Sequence, residues 1–238
     1  MAQTLCQPPG FHGHPSAIAA RQHTILTTRS NMIHLYTWNT PNGRKISVAL
    51  EEMGLPYTVH TVDIGKDEQF NAAFLSISPN NKIPAIIDDD GPDGKSISVF
   101  ESGAILTYLG EKSGKFWPQS LAARTKVMQW LMFQVGGFGP MPGQVHHFIA
   151  LKSEADKHYG LNRFMKETSR LYSVMDKHLQ LSPYFADELS IADFALLGWV
   201  WRHERHHVNL VDFPAVKRWY DELMARPGVA RGFEVKMS

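Results

Sequence analysis

Pro84 stands just inside an apolar run, and the pair Glu101-Ser102 comes immediately before a helical one. Both are placed to do recognition chemistry. Ser78 to Gly103 reads locally as strand, hairpin turn, strand and helix start. Ile83 to Ile87 is a short apolar run, and Asp88-Asp89-Asp90-Gly91-Pro92-Asp93-Gly94 is dense in turn formers. Ile97 and Val99 alternate with Ser96, Ser98 and Phe100, and Ala104-Ile105-Leu106-Tyr108-Leu109 carries a helical face. A proline opening an interior strand forfeits a ladder N–H, which predicts a cis Ile83–Pro84 bond in a tight turn. Glu101 and Ser102 fall where a helix begins, and the free backbone N–H groups of a helix start bind anions. A carboxylate acceptor beside such a site suits a zwitterionic α-amino acid group.

The elements that must position these residues follow from periodicity. Met32 to Tyr36 reads as a first strand, Thr37 to Gly43 as a loop, and Arg44 to Met53 as a helix with Ile46, Ala49, Leu50 and Met53 on one face. Gly54 is its C-terminal stop, with Pro56 beyond. Tyr57 to Val62 is a second strand, parallel to the first because a helix connects them. Asp67 to Leu75 is a short helical segment. The order βαβαββα, ending near Gly114, is thioredoxin-like. Phe116-Trp117-Pro118 reads as a linker, and everything after Leu121 is helical. The predicted helices are Ala122–Val135, broken by Gly136 to Gly143 and resuming through Val145 to Leu151; His158–Leu179; the run Phe194–Trp201 behind a Ser190-Ile191-Ala192-Asp193 capping box; and Pro214–Ala225, stopped by Pro227-Gly228. The fold expected is an α/β thioredoxin-like N-terminal domain (32–114) followed by an all-α C-terminal domain (115–238). An irregular N-terminal arm (1–31) precedes both; it is acid-poor and carries three His and three Pro.

Composition narrows the function classes. A hydrophobic fraction of 43%, a charged fraction of 20% and a net charge of +1 in 238 residues describe a globular chain with no electrostatic reason to bind nucleic acid or an anionic membrane. No apolar run reaches the roughly 18 residues a bilayer span requires. One cysteine, Cys6, allows neither an intrachain disulfide nor a Cys/His zinc framework, and a cytoplasmic setting is the default.

The sequence resembles the glutathione transferases from Met32 to about Gly228. The resemblance rests on Ile83-Pro84-Ala85, on Glu101-Ser102-Gly103-Ala104-Ile105 and on the Ser190–Asp193 box in a helical second half. Thr40-Pro41-Asn42-Gly43 and Val135-Gly136-Gly137-Phe138-Gly139-Pro140-Met141, with Gln144 and His146-His147 behind, are similar to the nu class of bacterial glutathione-dependent disulfide-bond reductases. The resemblance implies that Glu101 accepts from the γ-glutamyl ammonium and that Ser102 holds the neighbouring carboxylate. It also implies that the Ile83 backbone pairs with the central residue and that Gln69 and Lys82 reach the glycine carboxylate. It extends to Arg163, acting in its own site or a partner subunit's. Thr40 and Asn42 would donate hydrogen bonds to the glutathione sulfur beside a helix N-terminus and favour the thiolate. A redox enzyme of thioredoxin type carries a Cys pair in this loop and this chain has none, so bound glutathione would itself attack a small disulfide and a second glutathione would resolve it. Transfer to an electrophile or a peroxidase side activity would use the same thiolate. Glutathione or oxidised glutathione is thus the implied co-substrate, with no metal, and a homodimer the implied assembly. The alternative is a non-catalytic, glutathione-binding regulatory module on the same fold.

Several other residues have plainer readings. Tyr36 suits the core better than thiol activation. Gly136–Gly143 lacks dinucleotide-loop spacing and reads as a helix break. His203, His206 and His207 have ligand spacing but no carboxylate motif beside them. His146-His147 could line a cleft or pack equally well, and Asp88 to Asp90 is a turn, not a calcium loop.

Overall fold

The computed structural model describes residues 31–237. The expected arm and Cys6 lie outside that span, apart from Asn31. Strands β1 (Ile33–Thr37), β2 (Tyr57–Thr61), β3 (Ala85–Asp88) and β4 (Ile97–Phe100) form one sheet in the order β2-β1-β3-β4. β1 and β2 are parallel, with Ile33 opposite Tyr57; β3 runs antiparallel to both β1 and β4, with Ala85 opposite Tyr36 and Phe100. In β1 the residues Ile33, Leu35 and Thr37 are buried and His34 and Tyr36 alternate with them, the period of two that a one-sided strand requires. Ile83–Pro84 is cis, and Ile83 lies just outside the ladder that starts at Ala85.

Helix α1 spans Pro41–Met53, three residues earlier than the periodic apolar face suggests. Thr40 is its N-cap, accepting from Gly43 N at 3.1 Å, and Pro41 takes the first helical position, where a missing N–H costs nothing. Asn42 is therefore a first-turn helical residue and not a loop residue. Gly54 closes the helix at φ 69°. After the short α2 (Ala72–Leu75), helix α3 (Ser102–Ser113) ends at Gly114.

The remainder is helical: α4 (Leu121–Phe133), α5 (Pro140–Ala150), α6 (Glu154–Leu179), α7 (Ile191–Val200), α8 (Pro214–Met224) and α9 (Pro227–Glu234). Two expectations need correction. The break read at Gly136–Gly143 is confined to one π-helical turn, Gln134–Phe138, after which Pro140 starts α5 and Pro142 and Gly143 lie within it. Pro227-Gly228, read as a stop, instead opens α9, because proline at the first position starts a helix as readily as it ends one.

The capping box at α7 is present in full and anchors the helical part. Asp193 is wholly buried and accepts from Ser190 N (2.9 Å), Ser190 Oγ (3.1 Å), Phe185 N (3.3 Å) and Trp219 Nε1 (2.9 Å). α1 is gripped from the other end of the chain. Arg226 pairs with Glu52, Arg231 Nε with Glu51 at 2.8 Å, and Arg44 Nη1 donates to the carbonyls of Gly232 and Val235. On its other flank α1 meets α7 at Gly198, where a Cβ would fall 2.6 Å from the Pro41 carbonyl oxygen. The Arg44 and Gly198 contacts fix the first turn of α1, and with it the site, while the two ion pairs hold its last turn.

Candidate functional site

A cavity of about 390 Å³ opens where the start of α1, the start of α3, the π-turn with α5, and α7 converge. Asn42, Lys45, Glu101, Ser102, Gln134, Gln144 and Trp199 supply its polar lining. Asn42 Oδ1 accepts from Trp199 Nε1 at 2.9 Å, which fixes the orientation of the amide and leaves its NH2 as the free donor. The Thr40 Oγ1 that accepts from Gly43 N still has its hydroxyl proton to give.

Glu101 precedes α3 at φ 69°, ψ 117°, a positive-φ conformation that a residue other than glycine adopts only under constraint. Its carboxylate is exposed and accepts from Asn80 Nδ2 at 3.0 Å. Ser102 is the first residue of α3 and buried, so its hydroxyl and the helix-start N–H groups face inward together. Ser102 Oγ accepts from Lys45 Nζ at 3.1 Å, and Gln134 Oε1 accepts from the same nitrogen at 2.5 Å. Burial pulls the Lys45 ammonium down to a pKa of about 7, with the Glu101 charge opposing.

The structure thus brings together Asn42, Glu101 and Ser102, with Thr40 capping the same helix. Gln69 sits in a 3-10 turn, Glu68–Phe70, with Nε2 3.4 Å from Asp67 Oδ1 and a buried Oε1 that has no hydrogen-bond partner. Lys82 is exposed and its carbonyl accepts from Ser78 Oγ at 2.9 Å. Neither borders the cavity beside Asn42. Arg163 is also separate: it lines a hollow of about 800 Å³ along α6 with Met141, Tyr159, Lys166, Glu167 and Arg170. Pro140 lines the first cavity and Met141, the next residue in the chain, lines this second one; the two share no lining residue.

Tyr36 stacks on His60 at 4.7 Å and faces the hollow beneath α2, consistent with packing. His146 stacks near Trp199 (6.0 Å) and His206 (5.0 Å), and burial lowers its pKa to about 4. No group of three or more His, Cys, Asp or Glu side chains among the described residues could hold a metal. Sequence reasoning missed Lys45, Gln134 and Trp199. Lys45 follows Asn42 by three positions and shares its helix face, a spacing that was available to find it. The other two come from distant segments and gave no local signal.

The fold and this cleft define a class of protein. A family model for the glutathione S-transferase N-terminal domain matches residues 40–112, and one for the C-terminal domain matches residues 140–227. The chain belongs to the glutathione S-transferase family. Among curated relatives, it is 47% identical to the disulfide-bond oxidoreductase YfcG of Escherichia coli K12, over 84% of this chain and 94% of that protein. It is 38% identical to the disulfide-bond oxidoreductase YghU of the same organism, over 87% of this chain and 76% of that one. Among solved structures, a Pseudomonas putida glutathione transferase with one glutathione disulfide bound per subunit is similar at TM-score 0.82 and 43% identity, covering 86% of this chain and 92% of that one. A Pseudomonas fluorescens family member with two glutathione bound is similar at TM-score 0.81 and 44% identity, covering 87% and 94%.

Proposed function

We propose that this protein is a glutathione-dependent disulfide-bond reductase of nu-class type, in which bound glutathione supplies the reacting sulfur. The observation that carries the reading is the Asn42 amide, its carbonyl held by Trp199 and its NH2 free, in a cleft shared with Glu101 and Ser102. Glu101 takes the γ-glutamyl ammonium, and the Ser102 hydroxyl and α3 N-terminus take the adjacent carboxylate. The Ile83 backbone, outside the ladder, receives the middle of the tripeptide, and the Gln69 Nε2 donor and the Lys82 ammonium serve the glycine end. The sulfur then lies by the first turn of α1, where Thr40, Asn42 and the helix dipole favour the thiolate. With a single cysteine in the whole chain, a protein Cys pair cannot carry the exchange. Thiolate attacks the substrate disulfide, and a second glutathione releases oxidised glutathione. The hollow holding Arg163, along α6, is assigned to the second half of the disulfide. The names of the two Escherichia coli relatives and the glutathione disulfide in the Pseudomonas putida structure support this reading. Transfer to electrophiles and a peroxidase activity are secondary uses of the same thiolate.

A cytoplasmic homodimer, and a division of the chain near Gly114 into a glutathione-binding and a helical domain, belong to the same proposal. Phe70, Phe100, Met132 and Tyr159 are apolar side chains left exposed that a second copy could cover. Light scattering should then give twice the 26.9 kDa chain mass. The function is tested by steady-state reduction of a small dialkyl disulfide with glutathione. Turnover should saturate in both substrates and fall about a hundredfold in Thr40→Ala/Asn42→Ala, the loss of two charge-assisted hydrogen bonds of roughly 1.5 kcal/mol each. Full turnover in that double variant rejects the activation scheme; tight glutathione binding without turnover in the wild type returns the protein to a regulatory module.

A further inference from the structure

Lys45 is a buried lysine with no work in the scheme above, and lysine is almost never fully buried unless something requires it. It lies one turn beyond Asn42 on the same face of α1 and lines the same cavity. Both of its polar partners, Ser102 Oγ and Gln134 Oε1, are neutral. A buried cation served only by neutral partners is costly, and a charge kept simply to bind an anion would sit better as arginine.

The partner count suits a group that changes its proton. A neutral amine has two N–H bonds, and two acceptors are present; its lone pair remains free. The ammonium keeps both bonds and gains a third N–H in the place of the lone pair. Gln134, which accepts from Lys45, is the first residue of the π-turn, and its own Nε2 is buried without a partner. π-Turns within helices are frequent at functional sites. Of the other elements around Lys45, α7 presents Gly198 against its Cγ and α3 presents Ser102, so the charge that acts on it is the Glu101 carboxylate at the head of α3, with which it makes no ion pair. The neighbouring cation Arg44 turns away, to Asn39 and the carbonyls of Gly232 and Val235. The burial that brings its pKa to about 7 lets both forms of Lys45 exist near neutral pH, where a proton-transfer group is most effective.

Building on the proposed thiol–disulfide exchange, we propose that Lys45 is the group of this cleft that holds the proton between thiol ionisation and thiolate release. The neutral amine takes the proton of the glutathione thiol. The thiolate attacks one sulfur of the substrate disulfide; a new S–S bond forms as the old one breaks, and the departing thiolate recovers the proton from the Lys45 ammonium. The net change is one glutathione thiol and one disulfide converted to a mixed disulfide and one substrate thiol, with no outside oxidant or reductant. The second glutathione repeats the sequence.

Lys45→Arg separates a fixed cation from a proton carrier, since a guanidinium stays charged throughout the accessible pH range. Disulfide reduction would be followed from pH 5.5 to 9 at saturating glutathione. Bound thiolate would be followed by its ultraviolet absorbance, and glutathione affinity by calorimetry. In Lys45→Arg, the expected result is at least a tenfold loss of kcat at pH 7 to 8, with the thiolate fraction undiminished and glutathione affinity within threefold of wild type. Lys45→Met, close in length and uncharged, should show the same loss of kcat and the same affinity, and it answers for the arginine variant if the larger side chain prevents folding. Gln134→Glu should move the acid limb of the rate profile to higher pH, as a carboxylate beside Lys45 raises its pKa. Wild-type kcat in either Lys45 variant overturns the proposal, and so does a loss that follows glutathione affinity down. A wild-type protein that reduces no disulfide with glutathione would instead overturn the functional reading itself.

Discussion

Trp199 shows how one hydrogen bond can decide what an amide does. An asparagine amide can present oxygen or NH2, and only the NH2 stabilises a thiolate. The indole N–H at 2.9 Å from Asn42 Oδ1 selects that face. Trp199→Phe keeps the packing but removes the donor, so the amide is free to flip. The expected cost is about 1 kcal/mol of transition-state stabilisation, or five- to tenfold in kcat, with the KM for glutathione little changed because Glu101 and Ser102, the residues proposed to hold it, are untouched. A parallel rise in KM would mean that Trp199 shapes the pocket and does not orient the amide; steady-state kinetics at varied glutathione separates the two. Trp199 is a positioning residue in this scheme.

Element by element, legibility followed how local each determinant is. The first strand, the cis Ile83–Pro84 bond, the Gly54 stop and the capping box all arise within a few residues, and each is within one residue of where the sequence puts it. The start of α1 was hidden because Pro41, Asn42 and Gly43 are poor helix formers, and the helix begins there only because Thr40 caps it while α7 and the C-terminal segment pack against it. The π-turn and α9 were obscured by glycines and prolines that equally suit a break. Within the site, Glu101 and Ser102 announced themselves by standing at a helix start. Lys45 looked like a surface lysine, since the partners that bury it lie 57 and 89 positions away. Gln69, Lys82 and Arg163 have no place around the cavity beside Asn42, and their roles rest on the family resemblance. The capping box carries its own prediction. Asp193→Ala would strand the buried N–H groups of Phe185, Ser190 and Trp219 at once, so a loss of roughly 3–5 kcal/mol is expected, about 10 °C in Tm for a chain of this size. Differential scanning calorimetry measures it, and a shift under 3 °C would show that water replaces those bonds.

For the molecule as a whole, the buried ionisable groups set how stability follows pH. His206 is buried with Nδ1 2.9 Å from the Tyr172 hydroxyl and Nε2 without a partner, and burial holds its pKa to about 2; His146, half-buried 5.0 Å away ring to ring, is held to about 4. In the unfolded chain both bind protons near pH 6.5. Below 6.5 the unfolded state therefore carries protons that the folded state refuses, and acid favours unfolding. Asp193 acts in the other direction. Burial raises it to about 6 against four opposing donors, so between its unfolded value of 3.8 and 6 the folded state holds the extra proton and this group's stabilisation fades as pH rises. Two imidazoles against one carboxyl leave a net gain of stability from pH 4.5 to 6.5. Lys45 extends it: with a folded pKa of about 7 against 10.5 unfolded, the unfolded state again binds more protons above pH 7, and stability rises further toward pH 10 as far as this group is concerned. Tm should thus climb from pH 4.5 through 7 and not peak near pH 5. His206→Gln, which keeps an amide acceptor for Tyr172 but cannot titrate, should flatten the acid limb by up to about 1.4 kcal/mol per pH unit. Thermal unfolding at half-unit pH steps for both proteins makes the comparison. Parallel curves would mean that His206 is protonated in the fold and that its buried Nε2 has found a partner.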